Sequence, residues 1–470
     1  MFETFEEARR FVAEREVQMI DLKFSDLWGQ WRHITLPAMQ FTHDLMEEGV
    51  GFDGSSVGFK SVEAGDMVVI PDLMTGFWDP FWETPTLSFI CTVLEADTRE
   101  IFPNDPRNLA QRAEAYLRQT GIAGRSSWGP EFEFYVFDRL DYDVRMERSG
   151  YAIESSQTDW ESHGSAHALP PDEGYHAIPP RDTLYNLRTE MALQLSKMGV
   201  PVKYHHHEVG GPGQCEIETR LMGLLEAGDA AMIIKYATKM VAHGREKTVT
   251  FMPKPIYGAA GNGMHFHQQL FKEGQNLFYD PEGYGRLSQT ALFYIGGLLT
   301  HGPALLALTN PSTNSFRRLV PGFEAPVNAF FSAGNRSAAV RIPRYATQPE
   351  RARIEFRTPD ATCNVYLAVA AQLLAGLDGI ERQIDPTEAG LGPIEDNIFA
   401  WTDEERAAIK PLPTSLDEAL DALAADHEFL LTGGVFNEDL IERWIARKAE
   451  EGAAVRARPH PYEMKLYYDS

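Results

Sequence analysis

Five short segments of this sequence set acidic, basic or imidazole side chains at alternate positions, with apolar residues between them. In Pro130-Glu131-Phe132-Glu133-Phe134-Tyr135-Val136, an extended chain puts Glu131, Glu133 and Tyr135 on one face and Phe132, Phe134 and Val136 on the other. His206 and Glu208 share a face in His205-His206-His207-Glu208, as do Gln214, Glu216 and Glu218, opposite Cys215 and Ile217. His265, His267 and Gln269 point together in the next segment, and Arg353, Glu355 and Arg357 stand opposite Ile354 and Phe356 in the last. A lone Glu-x-Glu is ordinarily a solvated strand face. Five such strands point instead to one cavity. Carboxylates that converge there repel by ~4 kcal/mol per pair at about 4 Å and an effective dielectric near 20. Divalent cations would remove that cost, and a ligand set rich in oxygen suits Mg²⁺ or Mn²⁺ rather than zinc.

A basic constellation follows in 314–326, Asn335-Arg336-Ser337 and Arg341-Ile342-Pro343-Arg344. Arginine grips carboxylates and phosphates through two parallel N–H donors. Arg318, Arg336, Arg341 and Arg357 beside a metal cage would stabilise a transferring phosphoryl group, although any one of them could equally pair with surface acids. The Gly-rich stretch 254–265 can bring backbone N–H groups close to an anion. It is neither a P-loop nor a Rossmann turn. Asp53-Gly54-Ser55-Ser56 by itself reads as a turn.

The elements that must carry these residues can be placed from periodicity and breakers. Helices are expected over 5–17, 106–119, 222–243, 364–382, 415–424 and 437–451. Strands are expected over 17–24, 30–36, 67–70, 87–94, 131–137, 202–208, 214–219, 264–271, 338–342 and 353–357. Pro103-Asn104-Asp105-Pro106 looks like a joint, dividing the 470 residues into an α+β domain over 1–105 and a larger one over 106–470. Residues 141–174 are polar and aperiodic, and read as a long surface loop. A formal net charge of −25 argues against a nucleic-acid partner. No apolar stretch reaches the ~18 residues of a membrane span. The first residues lack the basic and apolar parts of a signal peptide, and the three cysteines form no pairing motif. The expected location is cytoplasmic.

Together and in this order, these segments resemble the bacterial (type I) glutamine synthetases. The motifs are Asp-Gly-Ser-Ser, Glu-x-Glu, His-His-His-Glu-Val, Gly-Gln-Cys-Glu, Lys-Pro…Gly-Met-His, Asn-Arg-Ser and Arg-x-Glu-x-Arg, spread over nearly the whole chain. The resemblance implies a β-grasp-like N-terminal domain and a catalytic domain built on a curved antiparallel sheet with helices. It also implies a homo-oligomer, a dodecamer of two hexameric rings with active sites between subunits. Its reaction is the ATP-dependent ligation of ammonia to L-glutamate through γ-glutamyl phosphate, with two or three Mg²⁺ or Mn²⁺ per site. By the same resemblance, Glu133, Glu208 and Glu216 hold one metal, and Glu131, His265 and Glu355 the other. Arg318, Arg357 and the loop at Gly261 bind glutamate, and His267, Gln269, Arg341 and Arg353 lie on the ATP side. Arg336 and Arg341 hold the moving phosphate. Asp53 binds ammonium with Tyr175, Glu208 and Ser56 around it, and Glu324 closes as a flap. The sequence departs from the family pattern at Ala260, where an Asn is usual, at Gln269 for a Ser, and at Leu221 for an aromatic. Phe399 stands where many members carry an adenylylated tyrosine, so no AMP is expected there. A paralogue that joins glutamate to a polyamine or ethanolamine, and a non-catalytic homologue, are the alternative readings.

Overall fold

The computed structural model describes residues 1–160, 166–396, 398 and 401–470. Its first sheet is built from β1 (Met19–Ser25), β2 (Trp31–Pro37), β3 (Val50–Asp53), β4 (Asp66–Pro71), β5 (Phe77–Asp79) and β6 (Thr86–Glu95). The order is β2-β1-β6-β4-β3, with β5 on β6. β1 and β6 run parallel; the other pairs are antiparallel. Asp26 fixes the β1–β2 turn by accepting from the Trp28 and Gln30 amides at 3.0 and 2.9 Å. Gly29 closes it at φ +84°, a conformation that favours glycine. The helix Phe5–Glu14, capped by Thr4, buries Phe5 and Ala8 in this domain. The four expected strands are present. β3 and β5 are additional.

The second sheet comprises β7 (Arg125–Phe137), β10 (Val202–His207), β11 (Gln214–Thr219), β12 (Thr248–Thr250), β13 (Phe266–Lys272), β14 (Gln275–Asn276), β15 (Phe331–Ser332), β16 (Val340–Arg341) and β17 (Ile354–Phe356). Its order is β10-β11-β7-β13-β17-β16-β15, with β12 on β7 and β14 on β13. Every pair is antiparallel except β15–β16, so the expected antiparallel sheet is mixed at one edge. The apolar members of the alternating segments, among them Phe132, Phe134, Cys215, Ile217, Phe266, Ile354 and Phe356, are buried in the main core. Helices Pro106–Thr120, Leu224–His243 and Val365–Glu381 pack on that side and on each other. Val365–Glu381 is apolar around nearly its whole circumference, as a helix enclosed by protein must be.

Between β7 and β10 the expected loop contains a hairpin, β8 (Arg139–Val144) with β9 (Ser149–Glu154). Arg139–Val144 alternates polar and apolar residues, but Leu140, Tyr142 and Val144 stay exposed, so the alternation marks no buried face. Cross-strand pairs such as Tyr142 opposite Tyr151 support it instead. Towards the C-terminus the expected helices lie at Leu416–Ala425 and Glu438–Arg456, with a short one, Glu428–Leu431, between them and others at Asp403–Ala407 and Pro461–Tyr467. Among the described residues no single helix is long and apolar enough to cross a membrane. The pair Gln289–Thr300 and Gly302–Thr309 is bent by 72°.

One buried guanidinium ties the two sheets' surroundings together. Arg107 donates to Asp72, beside β4, at 2.9 Å, and through two bonds of 2.9 Å to Asp229 on the helix Leu224–His243. Asn364 adds a second tie, donating to the Leu27 carbonyl at 3.0 Å.

Candidate active site

The sheet order answers the question that the alternating segments raise. β10, β11, β7, β13 and β17 are consecutive neighbours, so all five polar faces adjoin. The register aligns them in rows: Glu216 lies opposite Glu133 on one side and His206 on the other, and Glu218 lies opposite Glu131. His267 lies opposite Glu355 and Gly129.

Three groups bring metal-type ligand atoms within 4.8 Å of one another: Glu131, His265 and Glu355; His206, Glu208 and Glu216; and Glu131, Glu218 and His267. In the first, His265 Nδ1 is 3.1 Å from Glu131 and 3.8 Å from Glu355. In the second, His206 Nε2 is 3.4 Å from Glu216. His267 Nε2 lies 2.7 Å from Glu131 in the third. Glu133 stays in the row but accepts from the Gly263 amide at 2.6 Å and joins none of the three.

Charge is distributed unevenly across the rows. Burial, and then the charges of Glu131, Glu133 and Glu208, hold the Glu216 carboxyl well above its usual range. Burial and Glu133 push Glu208 up to about 8. At the other end burial also opposes ionisation, but Arg357 and Arg341 pull Glu355 down to about 2. Both of those arginines are ion-paired with it. Against its burial, His267 and His265 hold Glu131 well below the ordinary range. The Glu208–Glu216 end is therefore a buried acidic cluster that the chain's own cations leave unneutralised. A divalent cation fits there on charge, and carboxylates with a single imidazole are suitable donors for a hard ion.

The Gly-rich segment is held over this cavity from several sides. Tyr135 donates to the Ala260 carbonyl at 2.8 Å, and Gln214 Nε2 to Gly261 O at 2.8 Å and Asn262 Oδ1 at 2.9 Å. A Cβ on Gly261 would come within 2.6 Å of Pro253 O and 2.8 Å of Arg318 Cγ. One on Gly263 would come within 2.6 Å of both Arg318 Nη2 and His265 Nε2. The glycines are required by close approach. Arg318 itself is buried and donates to the carbonyls of Thr358 at 2.7 Å and Arg357 at 3.0 Å, so it braces this loop from beneath.

The remaining expected residues divide into two sets. Arg341, Arg353, Arg357, His267 and Gln269 are buried along the sheet. Among the described residues, Arg341 Nε and Gln269 Oε1 have no hydrogen-bond partner. Arg353 stacks on Tyr345, 5.3 Å from its ring centroid. Arg336 and Glu324 are exposed, and with Asn335, Arg344 and Glu395 they line a cavity of about 600 Å³. Glu324 has φ +54°, unusual for a residue with a side chain. Tyr175 is half-exposed, stacks on His176 at 4.2 Å and meets His206 edge-on at 5.6 Å. Burial and the Glu208 charge raise its hydroxyl pKa.

Asp53 and Ser56 stand apart. The Asp53 carboxylate accepts from Ser55 N at 2.9 Å, Ser55 Oγ at 2.7 Å and Ser56 Oγ at 2.5 Å, all within its own turn. Within this chain no hydrogen bond links it to the second sheet among the described residues. The structure also adds residues that the sequence reading had not assigned to the site. His206 and Glu218 complete two of the ligand groups, and Gln214 anchors the loop. Alternation had already put each on the right face, which is the signal that could have found them. Phe399 lies outside the described residues.

A mixed sheet that lines one face with carboxylates, imidazoles and arginines, beside a smaller β-grasp sheet, defines an anion-handling, cation-assisted class of enzyme. Residues 16–96 match the family model described as the glutamine synthetase β-grasp domain, and residues 103–467 match the glutamine synthetase catalytic domain. The chain belongs to the glutamine synthetase family. It is 47% identical over 477 residues to the glutamine synthetase of Frankia alni, covering 100% of both chains. It is 46% identical over 475 residues to that of Streptomyces coelicolor, again with 100% coverage of both. Among solved structures it resembles Plasmodium falciparum glutamine synthetase, with a TM-score of 0.89 at 26% identity over 99% of each chain. It also resembles a GmaS/ADP complex, with a TM-score of 0.82 at 27% identity over 100% of each chain.

Proposed function

We propose that this chain ligates ammonia to L-glutamate with ATP, through γ-glutamyl phosphate, giving L-glutamine, ADP and phosphate. The observation that carries the reading is the adjacency of the five polar strands, which sets buried carboxylate clusters beside the Arg341–Glu355–Arg357 array.

Glu131, His265 and Glu355 would hold one Mg²⁺ or Mn²⁺. Glu208 and Glu216, with Glu133 and His206 alongside, would hold another. Bound there, such ions supply positive charge to the phosphate oxygens of ATP. Glutamate would lie against the loop at Gly261, near His265, with Arg318 and Arg357 beneath. Its γ-carboxylate attacks the γ-phosphate in line, while Arg341 and Arg336 donate to the transferring group. The Nε of Arg341, unpartnered among the described residues, is a donor for that purpose. His267, Gln269 and Arg353 flank the nucleotide.

Ammonium would be met by Asp53 and Ser56 of an adjacent subunit, with Tyr175 and Glu208 on the other side. The Ser56 and Ser55 hydrogen bonds lower the Asp53 pKa and keep it ionised to receive a cation. Among the described residues the Asp53 carboxylate bonds only within its own turn, which leaves it available to the dodecamer of two hexameric rings proposed here, with sites between subunits. Glu324, on its exposed loop, would exclude the water that hydrolyses an acyl phosphate. A domain boundary near residue 105 and a cytoplasmic location belong to the same reading.

Phosphate release with glutamate, ATP and Mg²⁺, with the amine varied, tests it. Ammonium should support turnover, while diamines and ethanolamine should add little. Turnover with a diamine and none with ammonium would replace this reading with that of a larger-amine ligase.

A further inference from the structure

Asp53 begins a short surface turn, the 3-10 helix Gly54–Val57, which Gly58 closes at φ +81°. The backbone of this turn is wound on itself. Gly58 N donates to Ser55 O at 3.3 Å, and Phe59 N to Gly54 O at 2.9 Å. The Ser55 amide and the Ser55 and Ser56 hydroxyls donate in their turn to the Asp53 carboxylate. The direction of the carboxylate therefore depends on where residues 54–59 are held.

The end of the turn is held from the large domain of the same chain. Arg443, on the helix Glu438–Arg456, donates from Nη1 to Phe59 O at 2.9 Å and from Nη2 to Gly58 O at 2.5 Å. Asp439, on the same helix, lies 3.5 Å from Nη1. A planar guanidinium that bonds two consecutive carbonyls fixes their orientation as well as their distance. Packing repeats the tie. A Cβ on Gly58 would come within 2.9 Å of Trp28 Nε1. Trp28 stacks on Trp444, the residue after Arg443, with ring centroids 5.8 Å apart. Trp444 donates to the Ala307 carbonyl at 2.9 Å, so the helix that carries Arg443 is itself fixed.

We propose that Arg443 is a positioning residue for ammonium capture, holding the Asp53 turn in the conformation that presents its carboxylate. It acts through a chain of hydrogen bonds, from Gly58 and Phe59 to Gly54 and Ser55 and from the two serines to Asp53. The inference rests on the reading of Asp53 as an ammonium residue.

Steady-state glutamine formation by the full oligomer, with ammonium, glutamate and ATP each varied, tests it. Arg443→Met should raise the KM for ammonium roughly tenfold, the worth of one hydrogen bond from a charged donor. The KM values for glutamate and ATP should stay as in the wild type. Arg443→Lys, which can reach one carbonyl, should fall between. Arg447→Met removes a guanidinium from over the Trp28 ring and should leave all three values unchanged. An unchanged ammonium KM in Arg443→Met would overturn the proposal. Equal rises for all three substrates would overturn it too, because they would make Arg443 a general packing contact. If Arg443→Met does not assemble, Arg443→Lys carries the test, with the ammonium KM alone expected to rise. Glutamine formation by Asp53→Ala at the wild-type ammonium KM would instead defeat the ammonium reading, and this inference with it.

Discussion

Glu355 has no contact with solvent, and its two oxygens are divided between Arg341 and Arg357, with the His265 imidazole 3.8 Å away. Glu355→Gln keeps the shape and removes the charge, leaving two buried guanidinium groups facing a neutral amide. Breaking a buried pair of this kind costs about 3–5 kcal/mol. Loss of one preorganised electrostatic contact slows chemistry by roughly 100- to 1000-fold. Glutamine formation should therefore fall by at least roughly 100-fold, and the urea midpoint should drop. Near-normal turnover in this variant would remove Glu355 from the site. At this scale the sequence was informative about faces and silent about partners. Alternation placed Glu131, Glu216 and Glu355 correctly, yet nothing in it says that Glu216 shares a cluster with His206 while Glu133 turns to the Gly263 amide. Those choices depend on side-chain rotation at fixed register.

Between elements, the strands with polar alternation were legible because the core face and the site face differ in kind. Their order was not. His265 and Glu131, in contact at 3.1 Å, are 134 residues apart in the chain. The β8–β9 hairpin was missed although Arg139–Val144 alternates polar and apolar residues; it buries neither face, and the polar sequence that follows it reads as loop. Two contacts between segments carry predictions. Lys254 sits 3.5 Å from the centroid of Phe323, the residue before Glu324, and its Nζ donates to the Ala259 carbonyl. It therefore connects the proposed flap with the glutamate loop. Lys254→Met should loosen the flap and raise ammonium-independent phosphate release several-fold relative to glutamine formation, while Lys254→Arg should keep the two coupled. An unchanged ratio in Lys254→Met would show that the contact does not hold the flap. The second contact is His301, buried between Asp378 at 2.7 Å and Asp426 at 2.9 Å, with Arg382 also on Asp378 at 3.0 Å. Burial opposes its protonation, but the two carboxylates raise its pKa above the unfolded value of 6.5. A raised histidine contributes its full stabilisation below the unfolded pKa and loses it as pH rises through the folded one. Stability to urea should decline as pH rises above about 6.5 for this reason, and His301→Gln should flatten that slope. A slope identical in both proteins would assign the loss to other groups.

For the whole molecule, an α+β N-terminal domain was readable from its strands and its β-grasp form only from the family resemblance, as was the proposed use of Asp53, because a turn in one chain carries no mark of a neighbouring chain it would face. Sites built between subunits make a specific demand on mixed assemblies. Asp53→Ala and Glu355→Gln chains, each inactive alone, should regain activity when co-assembled. Random mixing in equal amounts restores about a quarter of the sites in a closed ring. No recovery in verified hybrid rings would place each site within one chain. Arg107 then acquires a meaning that its own contacts do not suggest. Its guanidinium, shared between Asp72 and Asp229, sets the angle at which one subunit's small domain is carried relative to its large one. In the proposed ring, that angle would aim Asp53 at the next subunit. Weakening the grip would leave the altered chain's own metal clusters intact and impair ammonia capture next door, so damage to one subunit would register as a defect in its neighbour.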